Sequence, residues 1–421
     1  MPTPRPFPLC ITPDARPAPK RLRRIRRAAS ITLLSVFLAP LLAGAQASFH
    51  TLPLSPEFSF PPGHELLSLS ADGSTVVGNS QTLDGRFAAR WSESNGVVEL
   101  DAFPQANPFA YTIDYAFGIS GDGSRTVGEA TTGGLTAVAT YWESDGVPVS
   151  ISAGLTGRNS SAVDASYDGS IIVGQDTPFE SGGTAFGGFI WDSARGARSI
   201  REMAGYDGTL VAKAISDDGM IVTGLVNDTT GPGPTEAFRW QEGGELERLG
   251  TLPGGDWSEA FAISADGTTI VGVAGNDDGP FGSEEAFRWT AEEGLVGLGQ
   301  VEYQNLPYTS SFRTSRTAAF SVSADGSVIV GGAQEAWIYS EEYGGMRSVR
   351  DLLIQLGVVG LEDWDLFEAV DVSADGRIIT GWGNHPSTGL EDVAWYAVIP
   401  EPSTALLLGL GLAGLTRRRN S

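Results

Sequence analysis

Lysine is almost missing from this chain of 421 residues, standing only at Lys20 and Lys213. Soluble helices carry it freely, so a helix-rich surface is not expected. Histidine is scarce too. His50, His64 and His385 lie far apart, and no His-Glu-x-x-His, Gly-x-Ser-x-Gly or phosphate-loop sequence is present. The single cysteine, Cys10, excludes a disulfide framework and leaves stability to a large apolar core. Basic side chains number 27 against 51 acidic ones, a net charge of −24. Nucleic acid needs a concentrated basic surface, so that class of partner is excluded as well. What the chain has in excess is glycine, 55 residues or about 13% where ~7% is usual, without a collagen triplet.

The charge is uneven, and the two ends explain why. Residues 1–47 hold eight basic groups against Asp14 alone, then the apolar stretch Ala28 to Ala43 and the small residues Gly44-Ala45-Gln46-Ala47. Basic, apolar and Ala-x-Ala in that order read as a secretory signal peptide, cleaved after Ala45 or Ala47. At the other end Pro400-Glu401-Pro402 precedes an apolar stretch, Thr404 to Thr416, and the cluster Arg417-Arg418-Arg419. These three parts resemble the PEP-CTERM sorting signal of Gram-negative bacteria. The resemblance implies transient insertion in the inner membrane, an exosortase as partner, and release or transfer to the cell surface. The positive-inside rule agrees, keeping the three arginines in the cytoplasm and the body outside. Ser403 to Thr416 spans 14 residues, about 21 Å as a helix against a hydrocarbon core of ~30 Å. Bilayer thinning and snorkelling arginines cover the shortfall, and a plain C-terminal anchor is the alternative.

The body is therefore 48–399, between a signal peptide at 1–47 and a sorting segment at 400–421. Between Ser48 and Pro402, without the eight basic groups and one acid of the start and the three final arginines, 16 basic residues face 50 acidic ones, a net charge of −34.

One nonapeptide, Ser-x-Asp-Gly-x-x-aliphatic-Val/Thr-Gly, returns seven times through this body. Its aspartates are Asp72, Asp122, Asp168, Asp218, Asp266, Asp325 and Asp375, spaced 50, 46, 50, 48, 59 and 50 residues apart. Ala-x-x-apolar-Ser precedes most copies, as in Ala260 to Ser264, and an aromatic strand ending in tryptophan follows at Trp91, Trp142, Trp191, Trp240 and Trp289. Each unit reads as four short strands, the first two joined by a two-residue Asp-Gly turn of type I′. In this reading the last glycine of the nonapeptide ends the second strand. Four strands per ~50 residues fit a propeller blade, and the expectation is an all-β, seven-bladed β-propeller of four-stranded antiparallel blades. A solenoid is the alternative, but neither end shows a cap. Phe49-His-Thr-Leu-Pro53 is like Leu249-Gly-Thr-Leu-Pro253, a fourth strand, while the last copy stops after three. The N-terminal segment is thus expected to complete the last blade and close the ring.

Glu285-Ala-Phe-Arg-Trp289, Gly250 to Gly255 and Ala262 to Gly267 resemble the HAF family of extracellular repeats, best over 236–299. That resemblance implies export and a β-repeat fold, and no reaction. Its name-giving histidine is Glu236 and Glu285 here, so no role of that histidine carries over.

The seven aspartates could form a ring of calcium ligands, but tight turns demand the same residues, and turn chemistry is the more economical reading. The repeated tryptophans read as packing between blades. Asn276, Asp277 and Asp278, with Asn227-Asp228, place oxygens in second loops; a surface turn is the simpler account and calcium the one cofactor they suit. No catalytic residues are assigned, and the leaning is against an enzyme. Second loops and blade-to-blade connections vary and should collect on one face. Aromatics there, namely Phe103, Phe109, Tyr111, Tyr115, Trp257, Tyr303, Tyr308, Phe312, Trp364 and Trp382, are the candidate binding platform, beside His385. The function expected is non-enzymatic binding or scaffolding of extracellular matrix, as exopolysaccharide or surface protein. A carbohydrate-active hydrolase or lyase and a passive acidic coat protein are the alternatives.

Overall fold

A computed structural model describes residues 46–54, 67–81, 85–104, 112–132, 136–155, 157–178, 187–228, 234–276, 283–299, 317–332, 334–385 and 390–400. All belong to one compact unit, Ala45–Ser421. Residues 1–45 of the expected signal segment and the tail from Glu401, with its arginine cluster, lie outside the described residues.

Each copy of the nonapeptide opens a group of antiparallel strands. In the fifth, Ser258–Ile263, Thr269–Asn276, Ser283–Thr290 and Gly294–Gly297 pair each with the next. Among the described residues helix is confined to short connecting pieces such as Ile200–Met203 and Val349–Gln355. The last group, Asp365–Val372, Ile378–His385 and Leu390–Val398, takes an outer strand from the start of the chain. Ser48–Thr51 pairs antiparallel with it, Ser48 opposite Val398 and Thr51 opposite Trp395. Single bridges, Gly187 to Leu210 and Gly332 to Glu368, join neighbouring groups.

The turn is longer than the sequence reading has it. The ladder closes at Ser70, whose N–H donates to the Thr75 carbonyl, so four residues, Ala71 to Ser74, form the loop. Ser70 Oγ donates to Asp72 Oδ1 (2.7 Å) and accepts from Thr75 N–H (3.1 Å), while Asp72 Oδ1 accepts from Ser74 N–H (2.9 Å). Gly73 takes the left-handed φ of +67° that the loop requires. The same serine and aspartate bonds recur at the other six copies. A two-residue type I′ turn has no room for them, which is why the loop lengthens.

These loops also bond to one another. Ala71 N–H donates to Gly121 O, Asp122 to Tyr167, Tyr167 to Asp217, Asp217 to Ala265, Ala265 to Ala324, and Ala324 to Ala374. Ala374 N–H then donates to the Ala71 carbonyl at 2.8 Å, and the series returns to its start.

Behind six of the seven loops the innermost strand bulges. Phe117, Val163, Lys213, Phe261, Phe320 and Val370 fall out of register with the strands they face. The bulge presses a carbonyl onto the second strand, and the residue beneath it is the nonapeptide's last glycine. A Cβ on Gly272 would stand 2.0 Å from Glu259 O, and one on Gly381 1.9 Å from Glu368 O. This glycine does not end the second strand as the sequence suggests. Thr269–Asn276 runs through it.

The core lies between groups. Val77, Ala88 and Leu100 of the first pack on Ala116, Ala130 and Trp142 of the second. Val271 and Ala286 meet Ala319, Ile329 and Trp337. The last group meets the first in the same way, Trp382 and Ala394 against Leu67, Val76 and Ala89. Trp142, Trp240, Trp337 and Trp395 are fully buried, each contributing at most roughly 4–6 kcal/mol by the area it removes from water.

Candidate functional site

The seven turn aspartates spend a carboxylate oxygen on their own loops, as turn chemistry predicts. The Ser70 hydroxyl and then the Ser74 N–H hold Asp72 below the usual carboxylate range, and Ser170 does the same for Asp168. Among the described residues no group of three or more acidic, histidine or cysteine side chains could hold a metal ion.

The innermost strands face one another around a cavity of about 530 Å³. The bulged residues line it, and Leu67 takes the same place in the first copy. Lys213 stands among them with its ammonium 3.2 Å from Glu259 Oε1 and 5.5 Å from the centre of the Phe261 ring. Phe261 and Phe320 lie 6.0 Å apart, centre to centre.

One residue further along, two strands present a carboxylate. Asp164 accepts from Ala165 N–H (2.8 Å) and from Ile215 N–H of the next group (2.8 Å). Asp371 accepts from Leu69 N–H (2.7 Å), Val372 N–H (2.8 Å) and the Ser321 hydroxyl (2.5 Å), bonding the groups on both sides of its own. All these donors are neutral. Burial pushes Asp164 up to about 7, over the opposing effect of its two N–H donors, and Asp371 and Asp217 add to the rise. Burial raises Asp371 as well.

The platform aromatics divide. Phe109, Tyr111, Tyr303, Tyr308 and Phe312 lie outside the described residues, as do Asp277 and Asp278, the Asn276 side chain, Glu401, Pro402, Arg417, Arg418 and Arg419. Tyr115 is half-buried, accepting a hydrogen bond from Arg86 Nη1 (3.0 Å) with Phe117 beside it, ring centres 6.0 Å apart. Trp257 is half-buried with its indole against Gly275, where a Cβ would come within 2.6 Å of Nε1. Two placements are corrected. Trp364 is buried, packed edge-on against Phe49 at 5.2 Å and His385 at 4.9 Å. Trp382 is 1% exposed and sits within the strand Ile378–His385, not in a loop. That strand continues past Gly381, so its next residue turns into the core shared with the first group.

Sequence reasoning passed over Lys213, Asp164 and Asp371. Their signal is a departure from the repeat: Lys213 replaces an apolar residue, and the aspartates replace Ser, Gly or Ala.

Residues 398–420 match the PEP-CTERM protein-sorting motif. A search of the curated proteins finds no match. An oligogalacturonate lyase in complex with manganese is similar in structure, with a TM-score of 0.51 at 12% identity over 86% of this chain and 99% of that one. The oligogalacturonate lyase of Vibrio parahaemolyticus gives 0.51 at 11% identity over 85% and 99%. The β-propeller domain of the Trilobed protease from Pyrococcus furiosus gives 0.43 at 11% over 78% and 94%. Among the described residues no helix is long and apolar enough to cross a membrane. The chain is an all-β protein with a PEP-CTERM ending, which marks it for export, for processing by an exosortase and for sorting to the cell surface.

Proposed function

We propose that residues 48–399 form a closed ring of seven four-stranded blades, that 1–47 and the segment from Pro400 serve export and sorting, and that the ring binds extracellular polymer without catalysis. The ring is supported by the seven equal loops, by their returning series of hydrogen bonds, and by the cores shared between neighbours. Ser48 lies opposite Val398, so both processed ends leave from one edge of the last blade.

The observation that carries the binding reading is the difference between the two faces. On one, seven loops of four residues repeat the same bonds. On the other, the second loops and the connections between groups run from three residues, between Thr132 and Thr136, to 20 residues, between Gly297 and Ala318. A uniform face is scaffold, and function on a rigid scaffold sits where the chain varies. Tyr303, Tyr308 and Phe312 fall in the longest of these spans, and Phe109, Tyr111 and Trp257 belong to others, whereas Tyr115 opens the strand Tyr115–Ile119 and is no loop residue. Rings of this kind stack on sugars, so exopolysaccharide is the ligand class.

The test is retention of the processed protein on purified exopolysaccharide, with calcium and with chelator. Joint replacement of Tyr303, Tyr308 and Phe312 by alanine is expected to weaken retention at least tenfold. Unchanged retention overturns this assignment of the site. Release of reducing or unsaturated ends would favour a hydrolase or lyase instead, and no saturable retention at any salt a passive acidic coat.

A further inference from the structure

Whatever every repeat carries is required by the repeat, and a residue carried once is not. At the bulge, six copies place Leu, Phe or Val in the channel and one places Lys213. At the next position five copies have Ser, Gly or Ala, and only Asp164 and Asp371 are acidic. Lys213 is neutralised by Glu259, whereas Asp164, Asp217 and Asp371 accept from or face only neutral groups and other acids. The channel is therefore lined by more acidic than basic side chains, with Phe117, Phe261 and Phe320 among its walls.

The chain's own ammonium shows how a cation sits there, on the Phe261 ring and beside a carboxylate. The cavity of about 530 Å³ falls in the range usual for small-molecule sites. We propose that the channel binds a small organic ammonium ion, its charged end at Asp371 and Asp164 and its aliphatic body along Phe117, Phe261 and Phe320. A metal ion suits the site less well, because the described residues bring no three carboxylates together. This site is separate from the polymer-binding face and stands or falls independently of it.

Calorimetric titration of the processed protein with 1,4-diaminobutane, butane-1,4-diol and calcium chloride tests it. The diamine is expected to bind saturably, one per chain, and the diol at least a hundredfold more weakly. Asp371→Asn should weaken the diamine at least tenfold. Val163→Phe combined with Val370→Phe fills the channel, keeps both acids, and uses a residue that three other copies carry at this position; it should abolish binding while melting normally. The proposal is overturned if the diamine gives no saturable heat at millimolar concentration, if the diol binds as well, if calcium competes, or if the filled variant binds like the parent. Should Asp371→Asn fail to fold, the filled variant alone decides.

Discussion

Deleting residues 46–54 is expected to make the protein self-associate and to lower its stability sharply. The strand Ser48–Thr51 covers the outer edge of Leu390–Val398, whose backbone groups would otherwise be open for pairing with another chain. It also carries Phe49, stacked 6.0 Å from Trp395 and edge-on to Trp364, and it is followed by Leu52, which is buried between the last group and the first. Phe49→Ala removes part of that packing and should cost about 2–3 kcal/mol, below a full core truncation because Phe49 is half-buried. The deletion removes strand, edge cover and both side chains together, so it should exceed the point variant clearly. Urea unfolding and light scattering measure both. A deletion protein that stays monomeric with an unchanged midpoint would contradict the pairing.

Stability should fall, not rise, as pH increases from about 4 to about 7. Asp164 titrates near 7 in the folded chain and near the ordinary 3.8 once unfolded, so between those values the folded state binds the extra proton. Stability from this group is full below the lower value and is lost through the upper one. At about 1.4 kcal/mol for each unit the loss is on the order of 2–4 kcal/mol, reduced by whatever water the channel admits. Asp371 is raised by burial and acts in the same direction. The turn aspartates work in the opposite sense. Asp72 and Asp168 are lowered by their hydroxyl and N–H donors, so their contribution is present above the ordinary carboxylate value and disappears as pH drops through the folded one. Maximum stability is expected near pH 4–5. In Asp164→Asn the decline between pH 4 and 7 should flatten, whichever way its absolute stability moves. An equal slope in parent and variant would show that the decline comes from elsewhere.

Much of this architecture was legible because the seven nonapeptides are local: serine, aspartate and glycine close one loop without help from the rest of the chain. The loop's true length was hidden, since the serine's second role, accepting from the residue five further on, is a contact and not a pattern. The last glycine misled for a similar reason. Its need comes from a carbonyl on the neighbouring strand, pressed close by a bulge that no spacing reveals. Trp382 and Trp364 read as platform residues because aromatics beside variable loops look exposed, and only packing against Phe367, Phe49 and their neighbours shows otherwise. Lys213, Asp164 and Asp371 were visible as exceptions to the repeat. What they share, one channel, comes from strands as far apart in sequence as those of Asp164 and Asp371.

The central claim is a ring closed by strand pairing between the two ends of the body, and the lack of cysteine beyond Cys10 makes a cross-link a direct test. Ser48→Cys with Val398→Cys places two thiols on directly opposed residues, within the reach of a disulfide. Mild oxidation of the processed protein is expected to give a near-quantitative intramolecular disulfide in the monomer, with a raised melting temperature. His50→Cys with Val398→Cys, two residues out of register, should link poorly. Equal linking in the two pairs, or none in the first, would contradict the closed ring.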